Sequence, residues 1–209
     1  MTYSIKEIYY TIQGEGYYTG RPAVFCRFSG CNLWSGREID RDKSNCIFCD
    51  TDFIGTDGQS GNRYKTAKLL VKEILSYWPS KLHPFVVLTG GEPMLQVDKL
   101  LIKELKNNNF EIAIETNGTI KVPREIDWIC VSPKSGNKLV QLNGEELKLV
   151  YPQVGLDPKE FENFKFKYFS LQPLDDKEKK INTDLTIKYC SNNPKWRVSL
   201  QTHKIIGIR

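Results

Sequence analysis

Short apolar, β-branched runs recur along the chain and alternate with stretches of helical periodicity. Period-two or continuous apolar patterning predicts strands over residues 22–28, 85–88, 111–114, 128–132, 147–151, 168–171 and 196–200. Between them, residues 66–78 place Leu69, Leu70, Ile74, Leu75 and Trp78 on one helical face. Residues 97–107 do the same with Leu100, Leu101, Ile102 and Leu105. Shorter helices are predicted over 157–164 and 183–190. Strand–helix alternation implies a mostly parallel sheet with helices outside, and an unbroken run such as Phe85-Val86-Val87-Leu88 fits burial on both faces.

Polar residues come directly after the strands. Thr89-Gly90-Gly91-Glu92, Glu115-Thr116-Asn117-Gly118, Ser132-Pro133-Lys134 and Gln172-Pro173 all stand where a parallel sheet gathers its ligand site. About six strands are too few to close an eight-stranded barrel. The expected fold is therefore α/β, a partial, open parallel β/α barrel. A chain of 209 residues suits one domain, with residues 32–65, weakly periodic and rich in Gly, Asp, Arg and Lys, inserted as a loop around the site.

Composition changes this picture little. At 40% hydrophobic and 26% charged residues the chain has the balance of an ordinary globular protein. No apolar run approaches the roughly 20 residues of a membrane span, and the N-terminus does not read as a signal peptide, so a cytoplasmic setting is expected. The net charge of +5 is interleaved with acidic residues, as in Lys177-Glu178-Lys179-Lys180. That argues against nucleic-acid or membrane binding and suits small anionic ligands.

The six cysteines are too few for a disulfide framework, and they are unevenly placed. Cys130 and Cys190 stand alone and, with Cys26, are assigned to packing. Cys31 and Cys46 are separated by fourteen residues, Cys46 and Cys49 by two. The short gap lets two thiolates converge, and the long loop brings a third. Three readings fit the residues alone. One is structural zinc with Cys26 or His83 as fourth donor. The second is three reduced thiols without metal. The third is an iron–sulfur cluster on three thiolates, with one iron left open to a small ligand.

Other positions carry similar alternatives. Arg27, inside an apolar strand, needs a carboxylate: Glu15 or Glu115 within the fold, or a substrate carboxylate. Gln13-Gly14-Glu15 is a turn or a reader of a heterocycle edge. Thr51 is a helix N-cap or a hard oxygen ligand for Mg²⁺. Asn117-Gly118 is a turn or a ligand contact.

Cysteines after the first core strand that end in Cys46-Ile47-Phe48-Cys49 resemble the cluster motif of the radical S-adenosylmethionine (SAM) superfamily, with Phe48 at its aromatic position. Thr89-Gly90-Gly91-Glu92-Pro93 resembles that superfamily's glycine-rich segment. The superfamily usually separates its first two cysteines by three residues, and the fourteen found here are similar to the pattern of the 7-carboxy-7-deazaguanine synthase family. The likeness runs in order through Thr11-Ile12-Gln13-Gly14-Glu15-Gly16, Gly20-Arg21-Pro22, Arg27-Phe28-Ser29-Gly30-Cys31-Asn32-Leu33-Trp34, Cys46-Ile47-Phe48-Cys49-Asp50-Thr51, Thr89 to Pro93, Glu115 to Thr119, Ser132-Pro133-Lys134 and Gln172-Pro173.

The resemblance implies a [4Fe–4S] cluster on Cys31, Cys46 and Cys49, with SAM at the open iron. It implies Phe48, Asp50, Gly91, Glu115, Ser132, Lys134, Gln172 and Asp175 as SAM contacts, and Thr51 as a ligand of Mg²⁺. Ile12, Gln13, Gly14, Glu15, Arg27, Thr89, His203 and the terminal Arg209 are the implied substrate contacts, because in that family the C-terminus folds over the substrate. The implied activity is a radical lyase that turns 6-carboxy-5,6,7,8-tetrahydropterin into 7-carboxy-7-deazaguanine and ammonia, on the route to queuosine. Its implied partners are a reductant such as flavodoxin or ferredoxin and a second copy of the chain. The alternative within the superfamily is a glycyl-radical-enzyme activase.

Overall fold

A computed structural model of the chain describes residues 2–80 and 82–208. The apolar runs become strands β1 (Tyr3–Ile12), β2 (Pro22–Phe28), β3 (Asn62–Tyr64), β4 (Phe85–Gly90), β5 (Glu111–Thr116), β6 (Trp128–Val131), β7 (Asn143–Tyr151), β8 (Lys165–Pro173) and β9 (Trp196–Val198). They form one nine-stranded sheet in the order β3-β1-β2-β4-β5-β6-β7-β8-β9. From β2 to β9 every neighbouring pair is parallel, while β1 runs antiparallel to both β2 and β3. The sheet is open, so the C-terminal strand ends collect along one rim as the sequence implied.

Alternation within the strands sorts the side chains onto two apolar faces. Val86 and Leu88 point to the helical side, where they join Leu70, Val71 and Ile74 of α1 (Ala67–Ser76) and Leu101, Ile102 and Leu105 of α2 (Lys99–Asn107). Phe85 and Val87 point the other way, against Tyr9, Phe25, Ala113 and Trp128. Leu70, Ile74, Leu101 and Leu105 are fully buried, each stabilising the fold by roughly 1.5–3 kcal/mol. Both helices start at side-chain caps. Thr66 accepts from the Leu69 N–H at 3.3 Å, and Asp98 accepts from the Leu101 N–H at 2.9 Å.

The structure departs from the sequence reading in several elements. Nine strands are present among the described residues where seven runs were read as strands, because β1 and β3 were not read as strands. A register shift between Ile5 and Glu7 breaks the alternation of β1, and Lys6 and Glu7, adjacent in sequence, are both buried. Asn62-Arg63-Tyr64 has no apolar pattern and forms β3 by pairing with Tyr3–Ile5. Residues 157–164 hold only a 3₁₀ turn, Pro158–Phe161, closed by an Asp157–Glu160 capping box. The helix read over 183–190 extends to α3 (Lys179–Asn192). A short α4 (Thr202–Ile206) forms near the C-terminus, where no helix was read. No helix is long and apolar enough to cross a membrane among the described residues.

Candidate active site

One cavity of about 560 Å³ lies at the C-terminal strand ends. That volume is in the usual range of small-molecule sites. The fold brings into its lining every candidate residue from Ile12 to His203, including Thr51, Gly91, Ser132 and Asp175. Arg209 lies outside the described residues.

Cys31, Cys46 and Cys49 share one wall of the cavity. Cys31 follows β2, and its Sγ accepts the Leu33 N–H at 3.4 Å. The proximity of the Cys46 and Cys49 thiols pushes the Cys46 thiol up and pulls the Cys49 thiol down to about 6. Burial raises the Cys31 thiol. Neither proposed fourth zinc donor reaches this wall. Cys26 is fully buried in the core on the helical face of the sheet. His83 stands just before β4, at the opposite end of a strand roughly 20 Å long. Among the described residues no group of three or more His, Cys, Asp or Glu is placed to hold a single metal ion. Three converging thiols without a fourth protein donor fit a four-iron cluster with one open iron, a larger body than a single ion.

The fourteen-residue gap has a structural use. Its Arg41 donates from Nη1 to the carbonyls of Ile47 at 2.9 Å and Cys49 at 3.0 Å, while Nε and Nη2 bond the Glu38 carboxylate at 2.7 and 2.6 Å. The guanidinium lies 4.0 Å from the centroid of the Trp34 ring. Arg41 thus holds the backbone of Cys46-x-x-Cys49 in its curve. Arg41→Met is expected to keep the fold but speed iron loss from the reconstituted protein to a chelator by about tenfold, as two charge-assisted bonds are removed; absorbance at the cluster band follows it.

The glycine-rich segment packs directly on the Cys31 turn. The Gly91 N–H donates to Phe28 O at 3.2 Å, and the Glu92 N–H to Gly30 O at 2.9 Å. A Cβ at Gly91 would stand 2.1 Å from Gly30 O and 3.0 Å from the Cys31 Cβ. Glu92, fully buried, accepts from Thr116 Oγ1 at 2.7 Å, the Asn117 N–H at 2.7 Å and the Met94 N–H at 3.0 Å. Burial raises its pKa against those donors. This carboxylate joins the end of β4 to the end of β5. Asn117 forms the turn foreseen for it, with Oδ1 accepting the Thr119 N–H at 3.0 Å, and the residue also lines the cavity. Lys134 Nζ donates to Ser132 O and Oγ, both at 2.7 Å, and burial lowers its pKa.

The opposite wall is built by the turn after β1. Glu15 accepts from Gln172 Nε2 at 3.1 Å and Gln201 Nε2 at 3.0 Å, and it forms an ion pair with Lys148. Glu115 accepts from Gln13 Nε2 at 3.0 Å and Thr89 Oγ1 at 3.2 Å. Burial pushes Glu15 up, but Lys148 outweighs it and brings the carboxyl to about 2. The same pair leaves the Lys148 ammonium well above the usual range despite its burial. Gly14 leaves room for His203, whose Nδ1 would lie 2.2 Å from an added Cβ.

Arg27 corrects the sequence reading. Its partners are Glu7, 2.9 Å from Nε, and the Tyr9 hydroxyl, 3.0 Å from Nη2, instead of Glu15 or Glu115. Both partners sit on β1, so the missed strand hid them. The residue still lines the cavity. Thr51 caps no helix; it lies in irregular chain, and the next α-helix begins at Ala67. Asp50 and Asp175 line the cavity and both meet Lys204 of α4, at 2.7 and 2.6 Å. Sequence reasoning missed Lys204, Gln201, Glu7 and Lys148. Cys130 is buried as expected, yet it too reaches the cavity lining.

Comparison with known proteins agrees with this geometry. A model of the radical SAM superfamily matches residues 43–147, a span that includes Cys46, Cys49 and the glycine-rich segment. The chain is 57% identical over 210 residues to the 7-carboxy-7-deazaguanine synthase of Bradyrhizobium diazoefficiens and 54% identical over 209 residues to that of Burkholderia multivorans, with 100% of both chains covered in each case. The crystal structure of QueE from Escherichia coli superimposes with a TM-score of 0.72 at 28% identity, covering 97% of this chain and 95% of that one. With the three-cysteine wall, the adjoining glycine cradle and full-length identity all in agreement, the chain belongs to the 7-carboxy-7-deazaguanine synthase family of the radical SAM superfamily.

Proposed function

We propose that this chain is the radical SAM lyase that converts 6-carboxy-5,6,7,8-tetrahydropterin to 7-carboxy-7-deazaguanine and ammonia, feeding queuosine and related 7-deazapurines. The observation that carries this reading is a single cavity with three thiols on one wall and two half-buried, hydrogen-bonded carboxylates on the other. A cluster on Cys31, Cys46 and Cys49 with SAM beside it would supply one-electron reduction and hydrogen-atom abstraction.

The chain's own residues bind, orient and enclose. Gly91, Ser132 and Lys134 offer SAM a close backbone and a cation, and Phe48, Asp50, Gln172 and Asp175 complete its side of the cavity. Glu15, Gln13 and Glu115, which the resemblance implied as a SAM contact but which bonds Gln13 and Thr89, present acceptors and an amide to the donor-rich edge of a pterin. Arg27, with Thr89 and His203 nearby, suits the substrate carboxylate. Ile12 and Gly14 shape the wall through their backbone. Lys204, fastened to Asp50 and Asp175, draws α4 across the mouth and limits water. Such a strap favours a small substrate over the polypeptide loop that a glycyl-radical-enzyme activase must admit.

Thr51 offers Mg²⁺ one hard oxygen. Its neighbours Asp50 and Asp52 are committed to Lys204 and Lys6, at 2.7 and 2.8 Å. The remaining ligands would come from water and the substrate carboxylate, as Mg²⁺ tolerates well. A homodimer, a flavodoxin- or ferredoxin-like reductant and a cytoplasmic setting complete the reading; six free thiols suit a reducing compartment.

The test is anaerobic incubation of the reconstituted protein with SAM, a reductant and the carboxypterin, with and without Mg²⁺. A product lighter than substrate by one ammonia is expected, forming faster with Mg²⁺. Unchanged carboxypterin under conditions where SAM is cleaved would remove the substrate assignment.

A further inference from the structure

The inward face of β7 carries two charged residues that neither the motifs nor the proposed chemistry uses. Glu146 and Lys148 are two positions apart, so they share that face, and they are only 2% and 6% exposed. Both reach the turn after β1. Glu146 accepts the Tyr17 N–H on its two oxygens, at 3.1 Å each, and the Ser170 hydroxyl at 2.6 Å. Gly16 makes room for this carboxylate, since a Cβ there would stand 2.7 Å from Glu146 Oε2. Glu146 thereby anchors the backbone that carries Glu15. Lys148 pairs with Glu15 and stands 4.0 Å from Glu115 Oε1.

Two half-buried carboxylates turned into one cavity repel each other, and without the Lys148 ammonium beside it the Glu15 carboxylate is the one driven towards its protonated form. A protonated Glu offers a hydroxyl where the ionised form offers only acceptors. Gln13, Thr89, Gln172 and Gln201 supply neutral donors to the two groups, so they orient the carboxylates without balancing their charge. Among the described residues Lys148 is the cation within 4.0 Å of both, while His203 faces Glu15 as well.

We propose that Lys148 is a positioning residue for substrate recognition: placed between Glu15 and Glu115, it keeps both as carboxylates, so that together they accept from an N–H-rich N–C–N edge such as that of a pterin. Lys148 acts through the two glutamates and does not touch the reacting atoms. The substrate named rests on the function proposed above; the hold on the two carboxylates does not.

The experiment compares reconstituted wild-type protein with Lys148→Met, Lys148→Gln and Lys148→Arg. Carboxypterin binding is measured by anaerobic equilibrium dialysis, and infrared difference spectra are recorded at neutral pH. Both neutral variants are expected to bind at least about tenfold more weakly and to show a carboxylic-acid C=O band absent from wild type. Two neutral variants keep the test open if one fails to fold. Lys148→Arg, which restores the charge, is expected to lose the acid band and regain most of the affinity. Wild-type affinity in Lys148→Gln without the band, or Lys148→Arg no better than Lys148→Met, would overturn the proposal. If wild type itself fails to bind the carboxypterin while the acid band still appears in Lys148→Met, the role of Lys148 is upheld and the proposed substrate falls.

Discussion

Cys46→Ala is expected to leave the sheet intact and abolish turnover. Cys46 lies in the loop between β2 and β3, away from every strand pairing, so far-UV circular dichroism should match wild type. Only Cys31 and Cys49 then remain on the cavity wall, and neither Cys26 nor His83 is placed to substitute. Two thiolates do not hold a four-iron cluster against loss to solvent. Reconstituted Cys46→Ala should therefore lack the brown absorbance, and product formation should fall by at least ~10³-fold, because the reaction has no route around the cofactor. Cys26→Ala is the control. It removes a core thiol, lowers stability through packing alone and should keep both iron and activity. Full iron content or wild-type turnover in Cys46→Ala would contradict the assignment of that wall.

Gly91→Ala is the second large effect. Its Cβ would press on backbone, the Gly30 carbonyl at 2.1 Å, so no side chain can move aside to relieve it. The displaced neighbour is the turn that holds Cys31, whose Cβ is 3.0 Å from the same point. Overpacking of this kind costs about 2 kcal/mol, or roughly 4–8 °C in Tm for a chain this long. The loss in activity should exceed the loss in stability. A displacement of about 1 Å between a cofactor and its reacting partner can cost ~10²-fold, so kcat/KM should drop by at least that factor while most of the protein stays folded at 25 °C. Iron content and SAM affinity should fall together, since one steric conflict moves both. Gly136→Ala, where nothing lies within 4 Å of an added Cβ, strains only its own backbone and should leave SAM affinity unchanged.

What could be read in the sequence was local in the chain. Cys46, Phe48 and Cys49 sit within four residues, and Thr89 to Pro93, Glu115 to Gly118 and Ser132 to Lys134 each follow a strand whose apolar pattern marks its end. In a parallel sheet those ends share one rim, so placing the strands placed the site. The partners that complete the site are distant in sequence and carry no local pattern. Lys148 meets Glu15 across 133 positions, and Lys204 meets Asp50 across 154. Lys148 lies within a predicted strand, where a single charge reads as solvent-facing unless the curvature of the sheet is known. Arg27 shows how one omission leads to another: the bulge at Lys6 and Glu7 masked β1, and with it went the Glu7 and Tyr9 partners. The helix read over 157–164 failed for a local reason. Its capping box is real, but the turn it starts ends at Phe161, before a helical face can form.

The measurement that most directly joins the cluster, SAM and substrate is the fate of one hydrogen. Reconstituted protein is incubated anaerobically with SAM, a reductant and carboxypterin deuterated at C6, and 5′-deoxyadenosine, SAM and the deazapurine are analysed by mass spectrometry. Deuterium in the 5′-deoxyadenosyl group, accompanied by 7-carboxy-7-deazaguanine, is the expected result. Deazapurine formation with no deuterium reaching that group, or SAM cleavage with the carboxypterin intact, would contradict a radical lyase acting at this cavity.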